Sequence, residues 1–191
     1  MTTPTVDRLP FTDDDEANRL LVEDPFALLI GFTLDQQVPL QKAFSGPLEL
    51  RRRIGPYDAR RIATMPPDEL DEVFRRVPAL HRFPSNMAKR TQAVAAFLVE
   101  RYGGDAARLW RDASDGQDLH RRLLEVPGFG PMKAGTLVAI LGKQLGVTPP
   151  GWQAQVPDHM TLGDVDGPER LREYQGWKKQ MKAAARDAAG Q

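Results

Sequence analysis

Apolar positions along this chain recur at helical spacing, and no stretch alternates at period two over strand length, so the pattern predicts an all-α domain. The densest apolar run, Phe26-Ala27-Leu28-Leu29-Ile30-Gly31-Phe32-Thr33-Leu34, follows Pro25 and is apolar on nearly every side, which places it at the centre of the protein. Ahead of it, residues 1 to 12 read as a flexible arm, and a first helix is expected over 13 to 23, capped by Thr12 or an early aspartate. Behind it, a helix begins at Leu40, and the segment 45 to 77 reads as helices broken at Gly46-Pro47, Gly55-Pro56 and Pro66-Pro67. A long helix over 86 to 102, capped by Ser85, stops at Gly103-Gly104, and a short one follows over 105 to 111. Asp166, Pro168 and Glu169 announce a last helix over 168 to 186. Residues 13 to 191 are expected to form one domain.

Between these elements, residues 119 to 145 spell helix, tight turn, helix. Leu119, Leu123, Leu124 and Val126 lead into Pro127-Gly128-Phe129-Gly130, and Leu137, Ile140, Leu141 and Leu145 continue beyond it. Pro131 stands where proline is best tolerated, in a first helical turn. Gly128 and Gly130 permit positive φ and leave no side chain in the way, so a phosphate can approach the backbone. The unpaired N–H groups and positive dipole end of the second helix would then face that anion.

Composition narrows the chemistry. The chain has no cysteine, which excludes disulfides, thiol nucleophiles and cysteine-ligated iron–sulfur clusters. His81, His120 and His159 are scattered without ligand spacing, so no metal is expected to be held by side chains. The start lacks the basic and apolar regions of a secretory signal, and no run approaches membrane-spanning length, so a cytoplasmic location without membrane contact is expected; a monomer is expected as well. Net charge is zero, yet it is segregated: Arg75, Arg76, Arg82, Lys89 and Arg90 lie in an acid-free stretch from 73 to 99, and the tail from Arg170 to Arg186 is basic. Segregation of this kind can present a positive face without a positive total.

Three stretches together resemble the helix-hairpin-helix base-excision DNA glycosylases, the superfamily of endonuclease III and the alkyl-base glycosylases. The first is the hairpin itself, Val126-Pro127-Gly128-Phe129-Gly130-Pro131-Met132-Lys133-Ala134. The second is the apolar helix followed by Asp35-Gln36-Gln37, where Gln37 matches a glutamine that enters the duplex beside the extruded nucleotide. An amide suits that task because it donates to and accepts from base edges. The third is Pro78 to Arg90, matching the loop whose side chain fills the gap left by the flipped base. Leu80, His81 and Arg82 are the candidates there, with His81 favoured for its planar ring.

The resemblance implies two small helical lobes with a cleft between them, and double-stranded DNA with a damaged base as partner. It resembles in particular the short, cysteine-free members that lack the iron–sulfur cluster. Gly128, Gly130, Met132 and Lys133 would then touch DNA, and the one cofactor left room for is a monovalent cation on the hairpin backbone. Bifunctional members carry a lysine nucleophile where this chain has Met132, so a monofunctional enzyme hydrolysing the N-glycosidic bond is implied. Lys133, about 100° around the helix, reads as a phosphate contact or a solvated residue. Asp158 is the candidate for the carboxylate that stabilises the cationic transition state, with Asp164 its rival. Asp158 lies several residues further from the hairpin than in the family, so Val147 to Gln155 must loop out. A protein that keeps the hairpin and binds DNA without catalysis is the alternative.

Overall fold

The computed structural model describes residues 5–189, and among them the chain is all-helical, with no strand. Helix α1 (Asp15–Glu23) is capped by Asp14, whose carboxylate accepts from Glu16 and Ala17 N–H. Helix α2 (Pro25–Leu34) is capped in the same way by Asp24 and carries Pro25 in its first turn. From Phe26 to Leu34 every residue of α2 is buried, as its all-round apolar sequence requires.

The other helices enclose it. Helix α3 (Leu40–Ile54) packs along α2, α1 packs on both, and α6 (Pro84–Tyr102) crosses α2 on another side. The short α4 (Ala59–Thr64) and α5 (Pro67–Arg75) rest on α6. After α7 (Arg108–Arg111), α8 (Gly116–Leu124) and α9 (Pro131–Lys143) form a packed pair joined by the glycine turn. The segment after α9 folds back along it through two 3₁₀ turns, Trp152–Gln155 and Leu162–Asp164, before α10 (Pro168–Ala189). No helix among the described residues is long and apolar enough to cross a membrane.

Three local expectations fail. The arm at 1 to 12 is packed from residue 5 onward, while residues 1–4 lie outside the described residues. Leu9 and Phe11 are fully buried, Phe11 meets Phe44 edge-on at 5.1 Å, and Asn18 ties both the N–H and the carbonyl of Thr12. Burying two such side chains is worth roughly 1.5–3 kcal/mol each, enough to hold a short extended segment. The break at Gly46-Pro47 is also absent, since α3 runs through Pro47. Proline in a helix interior costs about 3 kcal/mol, but this turn is buried, and Tyr57 donates its hydroxyl to Pro47 O at 3.0 Å. Gly46 lets this turn lie close on α2: an added Cβ would sit 2.3 Å from Leu34 Cδ1. Finally, Ser85 is not the cap of α6, because the helix starts one residue earlier at Pro84, with Phe83 before it.

The segment behind α9 sits close because α9 is small on that side. Gly135, Ala139 and Gly142 share one face, and a Cβ on Gly142 would lie 2.2 Å from the Trp152 ring. Gly163 in turn lies against the α9 backbone, 2.6 Å from Ala139 C by the same construction. We therefore expect Gly163→Ala to destabilise the protein by about 1–3 kcal/mol, because a helix backbone cannot yield to overpacking. Gly176→Ala, mid-helix in α10 with nothing within 4 Å, should stabilise it by roughly 0.5–1 kcal/mol. Denaturant midpoints of the two variants, moving in opposite directions, check both.

Candidate functional site

Two of the sequence-predicted residues, Lys133 and His81, meet at the buried C-terminal end of α2. A helix leaves its last four carbonyls without intrahelical partners, and here those are Gly31, Phe32, Thr33 and Leu34. Asp35 N–H reaches Gly31 O at 3.0 Å. Lys133 Nζ, from the first turn of α9, donates to Phe32 O at 2.5 Å. Gln36 Nε2 donates to Thr33 O at 3.0 Å, and its Oε1 accepts from Arg90 of α6. Leu34 O receives Gln36 N–H at 2.8 Å and His81 Nε2–H at 3.1 Å.

This capping projects the next residue outward. Gln37 is exposed and holds φ at 56°, the only non-glycine in the left-handed region among the described residues. Such a conformation persists in a side-chain-bearing residue only when the flanks over-determine it, and here Gln36 is held by Arg90 of α6 while His81 bonds both Leu34 O and Gln36 O. The sequence-predicted Gln37 is thus presented at the surface.

His81 does something other than expected. It is 2% exposed, so its ring is not free to fill a gap in a duplex. Its Nδ1 accepts Phe83 N–H at 2.9 Å, which puts the proton on Nε2, and that N–H is shared between Leu34 O and Gln36 O at 3.1 and 3.0 Å. Burial pulls its pKa below the ordinary value, keeping the ring neutral. His81 is therefore a brace between the Gln37 turn and the loop before α6. Leu80 is buried as well. Arg82 is exposed and lies over the Phe83 ring at 5.3 Å, and Phe83 itself is 40% exposed. Phe83 is a surface aromatic that sequence reasoning misses; an aromatic immediately before Pro84 is its only signal.

The hairpin turn is open. Gly128 holds φ at 80° and Gly130 an ordinary extended φ of −102°, so only the first glycine uses positive φ. A Cβ at either would meet nothing within 4 Å. Gly130 caps α9 with no side-chain hydrogen bond, and Met132 is 71% exposed beside it. Lys133 is neither a solvated residue nor free for a phosphate. Its ammonium is half-buried on Phe32 O, 5.6 Å from the Phe129 ring centroid. Burial lowers its pKa to about 8, with Arg90 and Lys178 pushing the same way and Asp35 opposing them. Phe129 is buried and faces Phe32 at 6.1 Å, so the turn is anchored on α2 by an aromatic pair and a charged clasp.

The two aspartates separate cleanly. Asp164 accepts Thr161 N–H and Oγ1–H and pairs with Lys143 at the far end of α9, eleven residues from Met132. That is about 16 Å along the helix, so Asp164 is a cap at the wrong end, and the rival assignment falls. Asp158 is exposed and sits between two anchors. Pro157 fills the notch at Gly135, one turn beyond Met132, and His159 stacks on Trp177 of α10 at 4.8 Å. The chain at Pro157 therefore passes α9 near its N-terminal end, and Asp158 is the next residue. The 3₁₀ turn Trp152–Gln155 within the 147 to 155 stretch brings the chain back to this point.

No group of three or more His, Asp or Glu that could hold a metal ion occurs among the described residues. Comparison of the chain with protein-family models, with curated proteins and with solved structures gives no match.

The brace makes a pH prediction. His81 is held below its ordinary value of 6.5, so the unfolded chain takes up the proton first. The stability of the neutral brace is full above about 6.5 and falls as pH drops through the folded value. His81→Ala should cost about 1–3 kcal/mol near pH 7.5, because it strands buried polar groups. That deficit should shrink by about pH 5.5, as urea midpoints of wild type and variant at the two pH values will show.

Proposed function

We propose that this chain is a helix-hairpin-helix DNA-binding protein acting as a monofunctional base-excision glycosylase. One observation carries the reading. The three stretches that resemble that superfamily, far apart in sequence, are joined at one place: the hairpin through Lys133 and Phe129, the Gln37 turn through the α2 terminus, and the 80 to 83 loop through His81. The lobes and cleft of the superfamily belong to the same proposal.

In this reading the exposed N-terminus of α9 binds a backbone phosphate. Its first N–H groups lack intrahelical acceptors, its dipole is positive there, and no side chain at Gly128 or Gly130 blocks approach. A monovalent cation fits the same turn: Val126 O already accepts Phe129 N–H at 3.0 Å and keeps a second lone pair. Gln37 enters the duplex, and Arg82 with Phe83 takes the gap-filling part that His81 cannot. An aromatic face and a guanidinium both stack on bases without sequence preference.

The chemistry falls to Asp158. Its carboxylate would stabilise a cationic sugar as the bond to the base breaks, and would orient the water that attacks. A lysine Schiff base is not part of the proposal, since Met132 has no amine and the Lys133 ammonium is committed to Phe32 O. One observation favours the alternative, a DNA-binding protein without catalysis: Asp158 is exposed, and among the described residues it makes no ion pair that would hold it in place, whereas catalytic groups are ordinarily preorganised.

Base release from duplexes bearing alkylated, deaminated or oxidised bases decides between the two. We expect release from at least one lesion without strand cleavage, reduced about 10²–10⁴-fold in Asp158→Asn. Undiminished release by the variant overturns the assignment of Asp158. Duplex binding with no release from any lesion selects the non-catalytic protein.

A further inference from the structure

A groove of about 420 Å³ runs between the turn after α2 and the last helix, with Val38, Pro39 and Leu40 on one wall and α10 on the other. The α10 wall carries Lys178, Lys179, Lys182 and Arg186, and no acid occurs from Tyr174 to Arg186. These positions lie within about 100° of one another around the helix, and Lys178, Lys182 and Arg186 follow at intervals of about 6 Å. Asp35 is the one acid lining the groove, and it pairs with Lys178 at 3.7 Å. Lys179, Lys182 and Arg186 are exposed. Nothing in the packing of the domain requires a row of solvated cations here, since α10 is held by Leu171, Tyr174 and Trp177.

The groove also has a direction. It starts at the turn after α2, where Asp35 and Val38 flank Gln37, and the end of α2 just before that turn is bonded by Lys133 of the hairpin. The groove's Asp35 and Lys178 both act on the Lys133 ammonium of the hairpin, so the groove adjoins the hairpin. We infer that this groove is a second DNA-backbone site, in which Lys179, Lys182 and Arg186, with Lys178, follow the phosphates of the duplex that flanks the hairpin contact. The inference rests on the DNA-binding reading above and adds the surface that supplies its affinity. A row of cations suits a strand bearing one charge per about 3.4 Å of axis, and it is indifferent to sequence.

The test uses the full chain and an undamaged DNA duplex of about 20 base pairs, titrated by fluorescence anisotropy across about 50–200 mM salt. The variant Lys179→Gln, Lys182→Gln, Arg186→Gln changes exposed residues only, so folding is preserved. Removing a cation that neutralises one phosphate lowers the slope of log affinity against log salt by about 0.9. The triple variant should therefore show a slope smaller by about 2–3 and bind roughly 10-fold or more weakly near about 100 mM salt. Arg108→Gln with Arg111→Gln, which removes two exposed cations of α7 that do not line the groove, should leave the slope unchanged.

Gly130→Asp separates this inference from the hairpin reading. Aspartate is a good helix cap at that extended φ, but its charge repels a phosphate. Weakened binding in Gly130→Asp with none in the triple variant overturns the groove and leaves the hairpin. The converse supports the groove and overturns the hairpin. Equal weakening in the triple and the α7 variants, an effect seen on an RNA duplex but not on DNA, or no DNA binding by wild type at about 50 mM salt, each overturns the groove.

Discussion

The structure depends on the way the C-terminal end of α2 is closed. A helix buried on every side gains its stability from apolar area, but it carries four unpaired carbonyls into the same interior. Each would cost about 1–3 kcal/mol if left bare. Gly31 O keeps a helical bond from Asp35 N–H, and the other three draw on side chains beyond the helix. They come from α9 as Lys133, from the loop before α6 as His81, and from the following turn as Gln36, itself held by Arg90. Burying one helix thus fixes the hairpin, the loop and the turn relative to one another.

Electrostatics favours the same arrangement. The negative end of the α2 dipole meets a lysine, and Asp35 adds a carboxylate nearby. That is why a half-buried ammonium is tolerated although burial draws its pKa down to about 8. It also divides labour within the hairpin. Lys133 faces inward and holds the turn, which leaves Gly128, Gly130 and Met132 facing out with their backbone uncovered. A hairpin whose lysine faced solvent would bind anions through that side chain; this one presents backbone N–H groups, whose geometry is fixed before any partner arrives.

What the sequence makes legible follows from which of its signals are local. The apolar run of α2, the glycine turn at 127 to 130 and Pro168 state their roles through backbone and burial rules that need no distant partner. His81 is the contrary case. Its residue type suits a stacking plug, but the two carbonyls that claim it lie at Leu34 and Gln36, far away in the chain. Pro47 likewise writes a break that packing against α2 overrides, and Leu9 with Phe11 look like an arm until Phe44 and Asn18 are placed beside them. Lys133 carries no sequence sign that it points inward. In each instance the deciding partner is remote, and one sequence does not name it.

The catalytic carboxylate of the proposed reading is placed by a different constraint, the small face of α9. Gly135, Ala139 and Gly142 let the segment from Trp152 to Gly163 lie against the helix, and Pro157 seats at Gly135. Because residues three and four apart share a helix face, that seat lies one turn from Met132, and Asp158 follows it directly. His159 then stacks on Trp177, tying the loop to α10 and so to the basic groove. A Cβ at Gly135 would lie 3.0 Å from Pro157 Cγ, so the proline would have to shift and take the start of the Asp158 loop with it. In the proposed reading, the position of Asp158 depends less on the acidic residue than on the glycine that lets its neighbour in.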